Sequence, residues 1–236
     1  MVSQGSEKKG EYAVLNDSDE PIHVNVEVED WLKMRTGKTG IPVESWLKIK
    51  PVEFDIGPKE TKKIEYVITP PRDQEGELAA MVYFGTTSPE GTFNITSRFG
   101  VSIYVAIENT ISLDCGINKV VVARDVRDPE KEPDLRSKSL VFGVEVVNKG
   151  NVHIRPTGNI EITAQSGEKY NVKVERGFPV YAGKNFNYSI PWNKTDLAPG
   201  KYKVDVVLDC GNIYKLDKRC EKKVSFTAEE DGSISF

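Results

Sequence analysis

The sequence predicts an all-β protein made of two tandem immunoglobulin-like β-sandwich domains. Three observations carry this. Apolar and polar residues alternate with period two along most of the chain, the pattern of half-buried strands. Turn-forming residues interrupt the alternation at the roughly 8–12-residue spacing of sandwich strands. The chain has 236 residues, about twice the roughly 100 residues of one such domain.

In the first domain, residues 1–110, the strands fall at 11–15, 22–28, 46–49, 51–56, 61–69, 77–86 and 92–107. Ile22, Val24, Val26 and Val28 alternate with His23, Asn25 and Glu27, and Trp31 follows on that strand or at its end. Asn16 to Pro21, Gly57 to Glu60 and Ser88 to Gly91 supply the residue types that turns need. Pro70 and Pro71 stop the fifth strand, and residues 35–40 form a loop. A short linker at 108–117 leads to the second domain, residues 111–236. Its strands fall at 119–123, 140–147, 159–164, 170–175, 185–190, 201–208 and 222–227. The charged, proline-bearing stretch 125–138 has no apolar face and is expected to be a loop; the tail after Glu229 is expected to fray. No helix of ordinary length is expected.

Composition narrows the function. Acids and bases are well mixed, with a net charge of -4, and the basic stretch from Lys215 to Lys223 is broken by Asp217 and Glu221. Nucleic acid is therefore disfavoured as a partner. No apolar stretch approaches the roughly 20 residues that span a bilayer. Met1 to Gly10 lacks the apolar core of a signal peptide, so the expectation is either a cytosolic protein or a leader absent from this chain.

The cysteines bear on that choice. Cys210 ends one apolar run and Cys220 precedes another, with a hairpin-like segment between them. Two antiparallel strands bring such residues within disulfide reach. A Cys210–Cys220 disulfide, implying an oxidising compartment, is favoured over two reduced buried thiols, because zinc-ligand spacing is absent. Cys115 is then unpaired, or competes for one of the two.

Several segments carry a resemblance. Asn16 opens the loop between two strands, and the second of these ends at Trp31. Pro51, Phe54, Ile56, Pro58, Glu60 and Thr61 fall in a strand–turn–strand segment. Val82, Tyr83 and Phe84 precede the long strand from Phe93 to Val105. Val146 to Val152 includes an asparagine turn, and the Cys210/Cys220 hairpin lies near the C-terminus. In this order the chain resembles the PapD-like periplasmic pilus-assembly chaperones over nearly its whole length.

The resemblance implies a binding protein and no enzyme. Its partner would be a secreted pilus or surface-fibre subunit that lacks one sandwich strand, and the chaperone would lend its long edge strand to that subunit. Backbone hydrogen bonds then give affinity and alternate side chains give specificity. The family grips the subunit's terminal carboxylate with an arginine on the first strand and a lysine on the last. Here Met1 to Gly10 holds no arginine, the lysine's place falls near Ser102, and Arg98 is the nearest basic residue. The first strand looks clipped, consistent with a start downstream of a leader.

On the long strand, Phe93, Ile95, Phe99, Val101, Ile103, Val105 and Ile107 share one face. Ordinary burial accounts for its latter part. An apolar edge is normally blunted by charge or proline, and 93–97 has neither. The residues expected to meet a partner are Phe93, Ile95, Arg98, Phe99 and Val101.

Other features have plainer readings. His23 and His153 lie in different domains with no catalytic neighbours in sequence, and no nucleophile, metalloprotease or phosphate-loop motif occurs. Residues 125–130 lack the spacing of a calcium loop, so no metal or cofactor is expected. Trp31, Trp46 and Trp192 are read as core or interdomain aromatics. Three glycosylation-type triplets, at Asn94, Asn187 and Asn193, are given no weight. The competing functional reading is a structural or adhesive surface protein that uses the sandwiches as spacers or binding modules.

Overall fold

A computed structural model describes residues 1–37, 40–90, 93–125 and 139–236; for 88–90 and 93–95 it describes the backbone alone. The chain divides into two compact units, Met1–Ile111 and Ser112–Phe236.

The first unit contains β1 (Lys8–Leu15), β2 (Ile22–Asp30), β3 (Leu47–Lys50), β4 (Glu53–Ile56), β5 (Thr61–Ile68), β6 (Glu77–Glu90) and β7 (Phe93–Ala106). They form two antiparallel sheets in the orders β1-β5-β3 and β4-β2-β6-β7. Alternation decides what each buries. In β5, Ile64 and Ile68 point inward while Lys63 and Glu65 face water. Trp46, Ile49 and Ile64 on one side meet Phe54, Ile56 and Val82 on the other to fill a single core. The chain changes sheet between β3 and β4, where the Lys50–Pro51 peptide is cis.

Asn16, just past β1, is buried. Its Nδ2 donates to the carbonyls of Glu20 and Gly57, and its Oδ1 accepts from the Ser18 N–H. These bonds pay for the burial of the amide and tie the first turn to the turn after β4.

Two details differ from the alternation pattern. The end of β2 runs straight into a short helix, α1 (Trp31–Thr36), capped by the Asp30 side chain and by Gly37 at φ 75°. Ser88, Pro89 and Glu90, expected in a turn, continue β6 instead: their backbones pair with Ile95, Asn94 and Phe93.

The second unit contains β8 (Cys115–Arg124), β9 (Leu140–Asn148), β10 (Thr157–Ala164), β11 (Lys169–Val174), β12 (Asn185–Trp192), β13 (Gly200–Asp209), β14 (Arg219–Ala228) and β15 (Ile234–Ser235). Its sheets run β12-β9-β8 and β11-β10-β13-β14-β15. Leu140, Phe142, Val144 and Val146 of β9 are fully buried against Ile160, Ile162, Val204 and Val206. The Phe142 and Trp192 rings stack at 5.5 Å. Residues 126–138, expected to be a loop, lie outside the described residues.

The expected frayed tail is corrected. β15 pairs with β14, Ala228 opposite Ile234. The turn is made by Asp231, whose Oδ1 accepts from the Ser233 N–H, and by Gly232 at φ 88°, a conformation that glycine adopts without strain.

The expected cysteine pairing is also corrected. The disulfide joins Cys115 to Cys210, with Cα atoms 6.7 Å apart, and Cys220 is free. The reason is register. Cys220 lies opposite Leu208, while the Cys210 N–H donates to the Lys218 carbonyl at 2.8 Å. Cys210 and Cys220 are therefore diagonal neighbours, and Cys115 at the head of β8 reaches Cys210 from the other sheet.

Candidate functional site

β7 is an edge strand of 14 residues. It pairs with β6 along its whole length, from Ala106 opposite Glu77 to Phe93 opposite Glu90. β2 covers β6 only between Ala80 and Thr86. Residues 87–90 and 93–96 therefore run past β2 as a two-stranded projection, roughly 13 Å long at the usual strand rise. On its outer side β7 is closed only at its end, among the described residues. There the Val2 N–H donates to the Ala106 carbonyl at 3.0 Å, and the Glu108 N–H donates to the Val2 carbonyl at 3.1 Å.

The apolar face of β7 opens progressively toward that projection. Ile107, just past the strand, is 0% exposed, Val105 3%, Val101 41% and Phe99 70%. The same alternation that buries the far end against the core leaves Val101 and Phe99 in water. Arg98 lies on the opposite face. Its guanidinium is ion-paired with Glu27 and, at 3.5 Å, with Glu29. It also lies over the Tyr83 ring, 4.1 Å from the centroid. The structure thus brings Phe99 and Val101 together and sets Arg98 behind them. Phe93 and Ile95 belong to β7 by their backbone; their side chains lie outside the described residues.

A feature missed by sequence reasoning adjoins this edge. A cavity of about 310 Å³ is lined by Tyr12, Tyr66 and Ile68 on one sheet and by Val101, Ile103 and Val105 on the other. The outer edge of β1 is also unpaired among the described residues. The Tyr12 ring packs 5.0 Å from Tyr66 and 5.3 Å from Phe84. Its hydroxyl is buried without a hydrogen-bond partner, and burial, with Tyr66 adding to it, pushes its ionisation well above the ordinary range. The one sequence signal was the shared face of Gly10, Tyr12 and Val14, which marks burial but not the open cavity beside it.

The remaining candidates have structural roles. Trp46 and Trp192 are buried, and the Trp31 Nε1–H donates to the Tyr104 hydroxyl at 3.0 Å. His23 is hydrogen-bonded to Asp55 at 2.7 Å on the surface. The His153 carbonyl accepts from the Tyr214 hydroxyl at 2.7 Å. Among the described residues, the one group spaced to hold a metal is Cys115, Cys210 and Cys220, and two of its sulfurs are joined to each other. No helix among the described residues is long and apolar enough to cross a membrane.

No family model and no curated protein matches the chain. Solved structures do. The CupB2 chaperone of Pseudomonas aeruginosa is 15% identical, with 94% of each chain covered and a TM-score of 0.41. The class 5 fimbriae chaperone CfaA is 16% identical, with 94% of this chain and 93% of that one covered and a TM-score of 0.48. The Escherichia coli chaperone DraB is 15% identical, with 94% and 92% covered and a TM-score of 0.44. These three are chaperones, as are the proteins the sequence resembles.

Proposed function

We propose that the first unit is a binding module of a periplasmic chaperone, which captures a secreted pilus or surface-fibre subunit by adding the subunit's exposed edge to β7. The observation that carries this reading is the outer edge of β7, unpaired among the described residues except at its Val2 end, with its apolar face open at Val101 and Phe99. Free N–H and C=O groups along an edge pair readily with another strand. A partner strand laid against β7 satisfies those groups, and every second side chain of β7 is then presented to the partner's core. A subunit that lacks one sandwich strand, as the sequence resemblance implies, has the matching gap. Phe93, Ile95, Phe99 and Val101 are assigned to fill it. Arg98 is assigned to the rim, where its pairing with Glu27 steadies the strand.

The test is capture from periplasmic extract with the wild-type protein and with Phe99→Asp/Val101→Asp as baits. The expected result is a small secreted protein, one strand short of a full sandwich, held one-to-one by the wild type and lost by a variant whose circular dichroism is unchanged. Recovery of cell-wall components alone, or equal capture by both baits, favours a spacer or adhesive role instead.

A further inference from the structure

Three sulfurs meet in the second unit. Cys115 opens β8, Cys210 follows β13, and Cys220 lies near the start of β14. All three Sγ atoms lie within 4.8 Å of one another. Cys115 and Cys210 are bonded, and the free Cys220 Sγ stands 3.7 Å from the Cys210 Sγ. The register explains this proximity. Leu208 opposes Cys220 and the Lys218 carbonyl accepts from the Cys210 N–H, so the two cysteines sit diagonally on one hairpin, and their sulfurs turn toward each other without being bonded. Cys210 is therefore in reach of two sulfurs, one from the facing sheet and one from its own.

We infer that the three cysteines form an intramolecular disulfide-exchange site in which Cys210 is shared between two partners. The Cys220 thiolate attacks the Cys210 sulfur. A Cys210–Cys220 bond forms as the Cys115–Cys210 bond breaks, and its electron pair leaves on Cys115, which takes up the proton that Cys220 gave up. One disulfide and one thiol exist before and after, so no outside oxidant or reductant enters. The exchange converts a staple between the two sheets into a staple within one hairpin, and releases the head of β8 from the end of β13. Burial pushes the Cys220 thiol up to about 11, with Lys218 drawing it the other way. The attacking thiolate is therefore scarce in neutral solution, and exchange is slow there.

Peptide mapping tests this. Dilute, monomeric protein is held in mildly alkaline buffer, quenched in acid, alkylated under denaturing conditions and digested without reduction. In the wild type, label is expected to shift from Cys220 toward Cys115, with both Cys115–Cys210 and Cys210–Cys220 linked peptides recovered. Cys220→Ser is expected to hold Cys115–Cys210 alone, and Cys115→Ser, once air oxidation has removed two electrons from its remaining thiol pair, to carry Cys210–Cys220. Label that stays wholly on Cys220 in the wild type overturns the inference. So does Cys115 labelling confined to disulfide-linked dimers. The wild-type map decides the matter by itself if Cys115→Ser does not fold.

Discussion

Arg98 lies over the ring of Tyr83, 4.1 Å from its centroid, with its guanidinium paired to Glu27. This cation of β7 is thus already held by β6 and β2, on the face opposite Phe99 and Val101. A surface cation–π contact and an exposed ion pair contribute about 0.5–1 kcal/mol each. Arg98→Ala is expected to lower stability by about 1 kcal/mol and to weaken partner capture less than Phe99→Asp does. Denaturant titration and a capture assay on the same two variants check both parts.

The exposure gradient along β7 predicts a gradient in mutational cost. Phe99 is 70% exposed and Val105 3%. Phe99→Asp is expected to change folding stability by less than about 0.5 kcal/mol, as surface substitutions do. Val105→Asp buries a carboxylate among apolar core side chains, and is expected to cost more than about 3 kcal/mol. Urea unfolding of the two variants measures the contrast, and only Phe99→Asp is expected to separate loss of capture from loss of fold.

The Cys115–Cys210 bond closes a loop of sequence separation 95. Chain-entropy reasoning makes such a loop worth more than the hairpin loop between Cys210 and Cys220, by about 2 kcal/mol. Cys115→Ser, which leaves only the hairpin pair, is expected to lose about that much, and full reduction is expected to lose more. Thermal unfolding with and without reductant, and with the variant, places the three in order.

The His23 Nδ1–H donates to the Asp55 carboxylate at 2.7 Å on the surface. The hydrogen bond to Asp55 raises its ionisation above the ordinary histidine value; desolvation opposes it, and the charges of Asp55 and Glu53 add to it. A raised value in the folded state means that the stabilisation is fully present below the unfolded value and is lost as pH rises through the folded one. NMR titration of the His23 ring is expected to show a midpoint above the ordinary value, and Asp55→Asn is expected to bring it down.

Most strands were legible because each sheet has one buried face, so period two in sequence becomes inside and outside in space. Ile64 and Ile68 of β5 and the alternate residues of β9 show this directly. What the pattern does not carry is where a face stops being covered. Phe99 and Val105 look alike in sequence, and their difference lies in what surrounds them: Val105 joins the core with Val2 and Ile68, and Phe99 does not. The cysteine pairing was illegible for a related reason. Nearness in sequence favoured Cys220, but the register sets Cys220 opposite Leu208, and the bond goes to a residue brought in by the facing sheet. β15 was missed because two paired residues are too few to show a period, although Asp231 and Gly232 mark the turn before it.

Asn148 is the second unit's counterpart of Asn16, since each follows the inward face of a strand into a turn and is buried there. The Asn148 Nδ2 donates to the Val152 carbonyl at 2.7 Å and to the Val180 carbonyl at 2.8 Å, while its Oδ1 accepts from the Gly150 N–H at 2.9 Å. Alanine at this position strands the Val152 carbonyl and the Gly150 N–H, while the Val180 carbonyl keeps its bond from the Ile154 N–H. Each unsatisfied group costs about 1–3 kcal/mol, so Asn148→Ala is expected to destabilise the second unit by about 2 kcal/mol or more. Aspartate keeps the shape but turns the Nδ2 donor into an acceptor facing two carbonyls, and it adds a charge. Asn148→Asp is therefore expected to cost more than Asn148→Ala in neutral buffer, with part of the difference recovered as the carboxyl is protonated in acid. Urea unfolding of both variants at neutral and acidic pH checks the order, and a smaller loss for aspartate than for alanine would mean that the two carbonyl contacts contribute little.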